Sequence, residues 1–412
     1  MKKAVVTGLG VVSPIGLTVD EFWANLTAGV SGVGPISAFD PSRLGVRIAG
    51  EVKGFEPRNY MNHKEARRMD RFAQFAVAVS RMALDDAGLE ITPQNNASVG
   101  IVMNTGGGGM NQVALEEHTL TEKGPERVTP FFVPLMAPNM ASSQPSIQLG
   151  IRGPVITSVA ACAAGTMAMA EALRLIRLGD ADAVIAGGTE SCMMPLAFAG
   201  LDNMRALSRR NDDPTRASRP FDRDRDGFVF GEGAAALVIE SEEHARGRDA
   251  RIICELAGGA MTADAFHITA PLPSGEGAVL AMHRALRNAE MGVDEVEYIC
   301  AHGTSTPLND VSETNAIKRA FGERAYRIPI SSNKSMIGHL LGAAGAMSSL
   351  AAVQTIRHGV IAPTINLETP DPECDLDYVP NMARQTRVRT AIANGFGFGG
   401  QNAVAVFRAM EQ

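Results

Sequence analysis

Cys162, His302, Lys334 and His339 are the residues of this chain whose types and settings can carry covalent chemistry. Cys162 stands in Ser158-Val159-Ala160-Ala161-Cys162-Ala163-Ala164-Gly165-Thr166, between an apolar run, Val155 to Val159, that reads as a buried strand and a long helical pattern. A thiol at a helix N-terminus meets the positive end of the helix dipole and the free N–H groups of the first turn. These favour a thiolate and can hold a developing oxyanion, the two needs of an enzyme that works through acyl thioesters. His302, in Ala301-His302-Gly303-Thr304-Ser305-Thr306-Pro307, and His339, in Asn333-Lys334-Ser335-Met336-Ile337-Gly338-His339, each come just after an apolar strand candidate, Tyr298 to Cys300 and Ile328 to Ser331. Strand ends of that kind are where α/β folds place ligands and catalytic side chains. The remaining histidines (His63, His118, His244, His267, His283, His358) sit mostly in helical or surface contexts and are assigned no catalysis. In Asn394-Gly395-Phe396-Gly397-Phe398-Gly399-Gly400-Gln401-Asn402, glycine lets backbone approach a ligand closely while two phenylalanines add apolar bulk, a composition unusual for a plain hairpin turn.

The elements that must position these residues alternate between short apolar runs and amphipathic stretches. Ala4 to Val6 precedes a helix opened by the capping box Thr18-Val19-Asp20-Glu21. A helix near Lys64 to Ala87 leads to a strand at Val99 to Met103. The pattern continues through helix 164–178, strands Ala183 to Ala186 and Ala235 to Glu240, and a second set after residue 250, which makes the chain α/β. An internal echo recurs at one constant offset, without a gap. Ala163-Ala164-Gly165-Thr166-Met167 matches Ala343-Ala344-Gly345-Ala346-Met347, and Ile176-Arg177-Leu178-Gly179 matches Ile356-Arg357-His358-Gly359. A duplicated half explains this, with residues 1–250 carrying Cys162 and 251–412 carrying the histidines and the Gly/Phe loop. Gly342 stands in the second copy where Cys162 stands in the first.

Composition narrows the class. The net charge is −7, from 38 Lys and Arg against 45 Asp and Glu, which argues against a nucleic-acid partner. Five scattered cysteines form no disulfide framework or zinc spacing, as expected in a reducing cytoplasm. The N-terminal apolar stretch breaks at Gly8 and fails as a signal peptide, and no run approaches the length of a membrane span.

Cys162, His302-Gly-Thr-Ser-Thr-Pro, Lys334-Ser-Met-Ile-Gly-His339-Leu-Leu-Gly-Ala-Ala-Gly and Gly395-Phe-Gly-Phe-Gly-Gly occur in this order. In them, and end to end from Val6-Thr-Gly-Leu-Gly-Val-Val-Ser-Pro-Ile-Gly16, the chain resembles the β-ketoacyl-[acyl-carrier-protein] synthases of the thiolase superfamily, the type II elongating condensing enzymes. The resemblance implies a five-layer αβαβα thiolase-like fold, a homodimer and decarboxylative Claisen condensation in fatty-acid elongation. It implies no resident cofactor and no metal, since phosphopantetheine arrives on the acyl-carrier protein. Cys162 would carry the acyl group as a thioester. His302 and His339, kept neutral beside Lys334, would hydrogen-bond the malonyl thioester. The N–H groups of Cys162 and Phe398 would hold the oxyanion. By the same resemblance Phe398 gates an acyl pocket shared with Phe396, Gly107 and Phe132. Thr304, Thr306 and Thr269 would contact pantetheine, Asp310 is a structural acid, and Lys64, Arg67, Arg68, Arg127 and Arg205 would form the carrier-protein surface. A polyketide or specialised-lipid ketosynthase shares this chemistry, and a non-condensing partner subunit is the rival of another class, opposed by the presence of Cys162.

Three positions depart from the family pattern. Ser348 stands where a glutamate is usual. Gly107 stands where a bulky isoleucine closes the acyl pocket, which predicts a deeper pocket and longer or branched primers. Ala270 replaces a hydroxyl. Two other motifs are set aside. Asp222-Arg223-Asp224-Arg225-Asp226-Gly227 lacks the twelfth-position glutamate of a calcium loop, and Gly8-Leu9-Gly10 lacks the third glycine of a dinucleotide fingerprint.

Overall fold

The apolar runs become strands buried on both faces, as in sheets covered by helices on each side. A computed structural model describes residues 2–410. Its main sheet contains β1 (Ala4–Val12), β2 (Val99–Asn104), β3 (Val155–Ile156), β4 (Ala183–Glu190), β5 (Gly233–Ser241), β6 (Cys254–Ala263), β7 (Tyr298–Cys300), β8 (Ile330–Ser331), β9 (Thr390–Gly397) and β10 (Gln401–Arg408). Their lateral order is β8-β7-β9-β10-β6-β1-β5-β4-β2-β3. The seam between β6 and β1 is narrow, pairing only Val5 with Glu255 and Val6 with Cys254, so the sheet is effectively two five-stranded sheets. Counted from its own first strand, each runs 1-5-4-2-3 from the seam outward, the topology expected of a duplication.

Helices supply the other three layers. The helix α1 (Arg71–Ala87) covers β1, β4 and β5 on one outside, and α3 (Glu276–Asn288) covers β6 and β10 on the other. Between the sheets lie α2 (Ala164–Leu178) and α4 (Ala344–His358), which touch each other and both sheets. This is the αβαβα sandwich. The two central helices begin and end at equivalent positions of the echo, Ala164 with Ala344 and Leu178 with His358. They cross at Gly165 and Gly345: a Cβ on Gly165 would lie 2.4 Å from the Ala346 nitrogen, and one on Gly345 2.3 Å from the Thr166 nitrogen. The Ala/Gly-rich echo therefore permits two helix N-termini to meet almost backbone to backbone.

Some elements differ from the sequence reading. The helix near Lys64 to Ala87 is two helices, His63–Ala66 and α1, because Asn62 and Asp70 each cap a new N-terminus, accepting from the N–H of Lys64 and of Phe72. The run Val155 to Val159 is not a buried strand. Val155–Ile156 pairs with β2 on the sheet edge and Val159 adds a single bridge to Thr105, with Val155 40% and Val159 53% exposed. At the predicted capping box Thr18 accepts from the Glu21 N–H, while the Glu21 carboxylate reaches further out, to the N–H of Leu17. Gly8 and Gly10 serve helix packing, since a Cβ there would lie 2.1 Å from the Ala83 carbonyl oxygen and 2.2 Å from that of Val79, both on α1.

Candidate active site

Cys162 lies in a single 3-10 turn, Ala161–Ala163, that runs directly into α2. Ala161 holds a left-handed φ of 46°, and Leu341, its counterpart in the second half, holds 41°. Strain of this kind costs about 1–3 kcal/mol and persists where surrounding packing dictates it. It turns the chain so that the Cys162 side chain lines the floor of a cavity of about 280 Å³. His302 and His339 line the same floor. The Cys162 Sγ and one nitrogen from each ring all lie within 4.8 Å of one another.

Each histidine is fixed by its neighbours. The N–H groups of His302 and Gly303 donate to the buried Glu313 carboxylate at 2.8 and 2.7 Å, and Asn394 donates to the same group at 3.0 Å. The His339 N–H donates to the Val229 carbonyl at 2.7 Å, and its ring stands edge-on to Phe228. The imidazoles meet at 84° with centroids 5.4 Å apart. Lys334 is buried behind them. Burial first, then the Lys334 charge, holds both rings well below the usual histidine pKa, so they are neutral.

The expectation of a favoured thiolate is corrected. Burial pushes the Cys162 thiol up to about 12, although the Lys334 charge and the N–H groups of Phe398 and of Cys162 itself pull it down. At rest Cys162 is a thiol. Two neutral imidazoles stand close to its sulfur, one nitrogen of each within 4.8 Å. By distance alone this Cys-His-His group could also receive a metal ion, but an adjacent lysine and backbone N–H groups aimed at the sulfur suit an anion better than a cation.

The Gly/Phe segment is a hairpin and also part of the site. Strands β9 and β10 pair up to Gly397 and Gln401, and a Cβ on Gly397 would lie 3.2 Å from the Cys162 nitrogen. Phe396 and Phe398 line the cavity, as do Thr304, Thr306, Thr269, Ala270 and, among the predicted surface cations, Arg205. The hydroxyls of Thr304 and Thr306 lie 3.0 Å apart. The Thr269 hydroxyl lies 3.4 Å from His267 Nδ1, and that nitrogen accepts the N–H groups of Thr269 and Ala270. Asp310 accepts from the N–H groups of Thr304 and Phe221, with Arg225 3.6 Å away. Lys64, Arg67, Arg68 and Arg127 are exposed but stand away from the cavity lining.

Gly107 and Phe132 are not where the pocket reading put them. Neither lines the cavity. Gly107 faces inward, its N–H donating to Glu190, and a Cβ there would meet Cys192 Sγ at 2.7 Å and Met110 Sδ at 3.2 Å. The missing side chain is replaced by these sulfurs and not by empty space. Gly107→Ile is therefore expected to destabilise the fold by about 1–3 kcal/mol through overpacking, read as a lower urea midpoint. An unchanged midpoint with a shortened primer range would restore the pocket role.

Sequence reasoning missed Glu313, Glu190 and Asp264. Asp264 accepts from Asn402 at 2.7 Å and from the Leu272 N–H at 3.1 Å beside the cavity. Isolated acids in an acidic chain carry no local signal, although Glu313 does sit in the helix that opens at Pro307, directly after the His302 motif. Ser348 is buried on α4, its hydroxyl near the buried Cys300 thiol. In the Asp222–Gly227 segment, Asp222 accepts from Arg219 and from the N–H groups of Asp224, Glu368 and Thr369, so its carboxylate is engaged within the protein.

With this geometry the chain can be set against known proteins. Residues 1–245 match the model of the β-ketoacyl synthase N-terminal domain, and residues 253–368 that of its C-terminal domain. A 3-oxoacyl-[acyl-carrier-protein] synthase 2 of Synechocystis sp. is 50% identical over 99% of this chain and 98% of its own length. The ishigamide ketosynthase/chain length factor superposes with a TM-score of 0.93 at 37% identity, covering all of both chains. A type II polyketide ketosynthase, solved in complex with its acyl-carrier protein and bound to a hexaketide, gives 0.90 at 35% identity, again over both full chains.

Proposed function

The chain belongs to the β-ketoacyl synthase family, and from that premise we propose that it elongates acyl chains by decarboxylative Claisen condensation on acyl-carrier protein. One observation carries the reading: a buried cysteine at a helix N-terminus with two neutral imidazoles in reach, all on one cavity floor. The Cys162 sulfur attacks the acyl thioester and passes its proton toward an imidazole. The carrier protein's pantetheine thiol leaves, and acyl-Cys162 remains. Malonyl-carrier protein enters the same cavity, its arm passing Thr304 and Thr306. His302 and His339 donate hydrogen bonds to its thioester carbonyl, so that loss of carbon dioxide leaves a stabilised enolate. The enolate carbon attacks acyl-Cys162, and the N–H groups of Cys162 and Phe398 hold the tetrahedral oxyanion, a contribution of about 3–4 kcal/mol per donor in other enzymes. Collapse expels the Cys162 sulfur, which regains a proton, and releases β-ketoacyl-carrier protein.

No resident cofactor is required, because both thioesters arrive on the carrier. The five exposed cations, with Arg205 at the cavity and Arg68 stacked 4.9 Å over Phe131, give an acidic carrier protein a surface to meet. A second copy of the chain is proposed on the β3 edge, where Val155 and Val159 are exposed beside Ile147, 68% exposed, on the neighbouring helix Met140–Leu149. Residues 1–250 and 251–412 are taken as the duplicated halves, and the cytoplasm as the compartment.

The test is to incubate the protein with acyl- and malonyl-carrier protein and follow β-ketoacyl product by mass over a primer series. Extension of saturated medium and long primers by two carbons, to the β-ketoacyl product, is the expected result. Acylated Cys162 with no product at any chain length would instead identify a non-condensing partner subunit. Product only from polyketide-type primers would move the chain to that pathway.

A further inference from the structure

Glu190, the last residue of β4, is fully buried and plays no part in the steps above. Its carboxylate accepts from the backbone N–H groups of Gly106 at 2.8 Å, Gly107 at 3.2 Å and Gly342 at 3.1 Å, and from the Thr105 hydroxyl and the Cys192 thiol, each at 3.3 Å. Three backbone N–H groups converging on one carboxylate make an anion hole.

Its place in the duplication gives this hole meaning. Gly342 is the counterpart of Cys162 in the echo, and it follows left-handed Leu341 as Cys162 follows left-handed Ala161. In the first half the amide at this corner faces the nucleophile's sulfur. In the second half the matching amide is filled by Glu190. No nucleophile could stand there, because a Cβ on Gly342 would lie 2.2 Å from the Gly106 nitrogen. The same glycine is wedged against the first turn of α2 and against β4: Cβ atoms on Gly165 and Gly188 would lie 3.0 and 2.4 Å from its carbonyl oxygen. Only Leu340 and Leu341 separate it from His339.

We infer that Glu190 is a positioning residue for the condensation: by accepting the N–H of Gly342, the counterpart of Cys162, together with those of Gly106 and Gly107, it locks the turn after His339 to the Gly106 loop and to the base of the Cys162 helix. The distance between nucleophile and histidine, set in different halves of the chain, then depends on this one carboxylate. Burial raises the pKa of the Glu190 carboxyl itself, against the pull of the Gly342, Gly106 and Gly107 N–H groups and the Cys192 thiol; once ionised it works against Lys334 at Cys162, while His302 and His339 stay neutral. Cys192 and Asp70 are the other titratable groups facing it.

The inference rests on the condensing reading for its rate but not for its charge, and the experiment uses both. Glu190→Gln keeps the shape, removes the charge and turns an amide toward three N–H donors. Its kcat for condensation is expected to fall roughly tenfold to a hundredfold, from misplacement of reacting groups, with KM for acyl-carrier protein changed less than about twofold. The pH profile of Cys162 alkylation by iodoacetamide should move down, since the carboxylate that raises the thiol's pKa is gone. Glu190→Asp, which keeps the charge but shortens the reach, should restore the alkylation profile and not kcat. A bulk structural defect would lower the melting temperature of both variants without moving the alkylation profile downward. That outcome, or a Glu190→Gln protein with kcat within twofold of the parent, overturns the assignment. A parent protein that forms no β-ketoacyl product, with the alkylation shift intact, refutes the condensing reading instead.

Discussion

Cys162→Ala is expected to abolish the acyl-enzyme and to lower condensation by at least about 10⁴-fold, the scale seen when a covalent nucleophile is removed. Decarboxylation of malonyl-carrier protein should persist, because the two imidazoles that bind its carbonyl do not depend on the sulfur for their placement: His302 is held through Glu313, and His339 through Val229. Intact mass after incubation with acyl-carrier protein reads the first step, and formation of acetyl-carrier protein from the malonyl form reads the second. An acyl adduct that survives the substitution would place the nucleophile elsewhere. The other four cysteines are poor substitutes: all are buried, and none lines the cavity.

The second large effect belongs to the histidines. His302→Ala or His339→Ala should each slow decarboxylation by about 10²–10³-fold, the cost of losing one preorganised donor to a developing oxyanion. Acylation of Cys162, followed separately by mass, should fall less, because one imidazole remains to take its proton. The pH dependence follows from burial. Both rings have their pKa lowered well below 6.5, first by burial and then by Lys334, so lowering the pH through 6.5 leaves them neutral donors. The acid limb of decarboxylation should therefore lie below 6.5. In Lys334→Met, where that positive charge is absent, the limb should move upward toward 6.5. An acid limb already at the ordinary histidine value in the parent, unmoved by Lys334→Met, would mean that the rings are solvated and the cavity is not the site of chemistry.

The active groups were legible because their settings are local. A small-residue turn before a helix, and glycine-framed histidines after strands, can be recognised from a few consecutive letters, and the echo between the Ala163 and Ala343 segments reported the duplication that brings them together. The charge state of the thiol was not legible. A helix N-terminus suggests a lowered pKa, but full burial outweighs it, and burial depends on which distant residues close over the sulfur. Gly107 stands away from the cavity lining for a related reason. A vacant side-chain position implies space only if nothing else fills it, and Cys192 and Met110 do.

The sequence alone determined that this is an α/β chain of two like halves, with Cys162 in only one of them, because strand periodicity, helix caps and the Ala/Gly helix crossings are written in neighbouring residues. Only the tertiary structure decided that Cys162 rests as a thiol, that β3 is an exposed edge, and that Glu190 accepts the N–H of Gly342, the counterpart of Cys162. Each of these depends on groups far apart in the chain meeting in a low-dielectric interior, where the balance between desolvation and hydrogen bonding is set by three-dimensional neighbours and leaves no mark on local spacing.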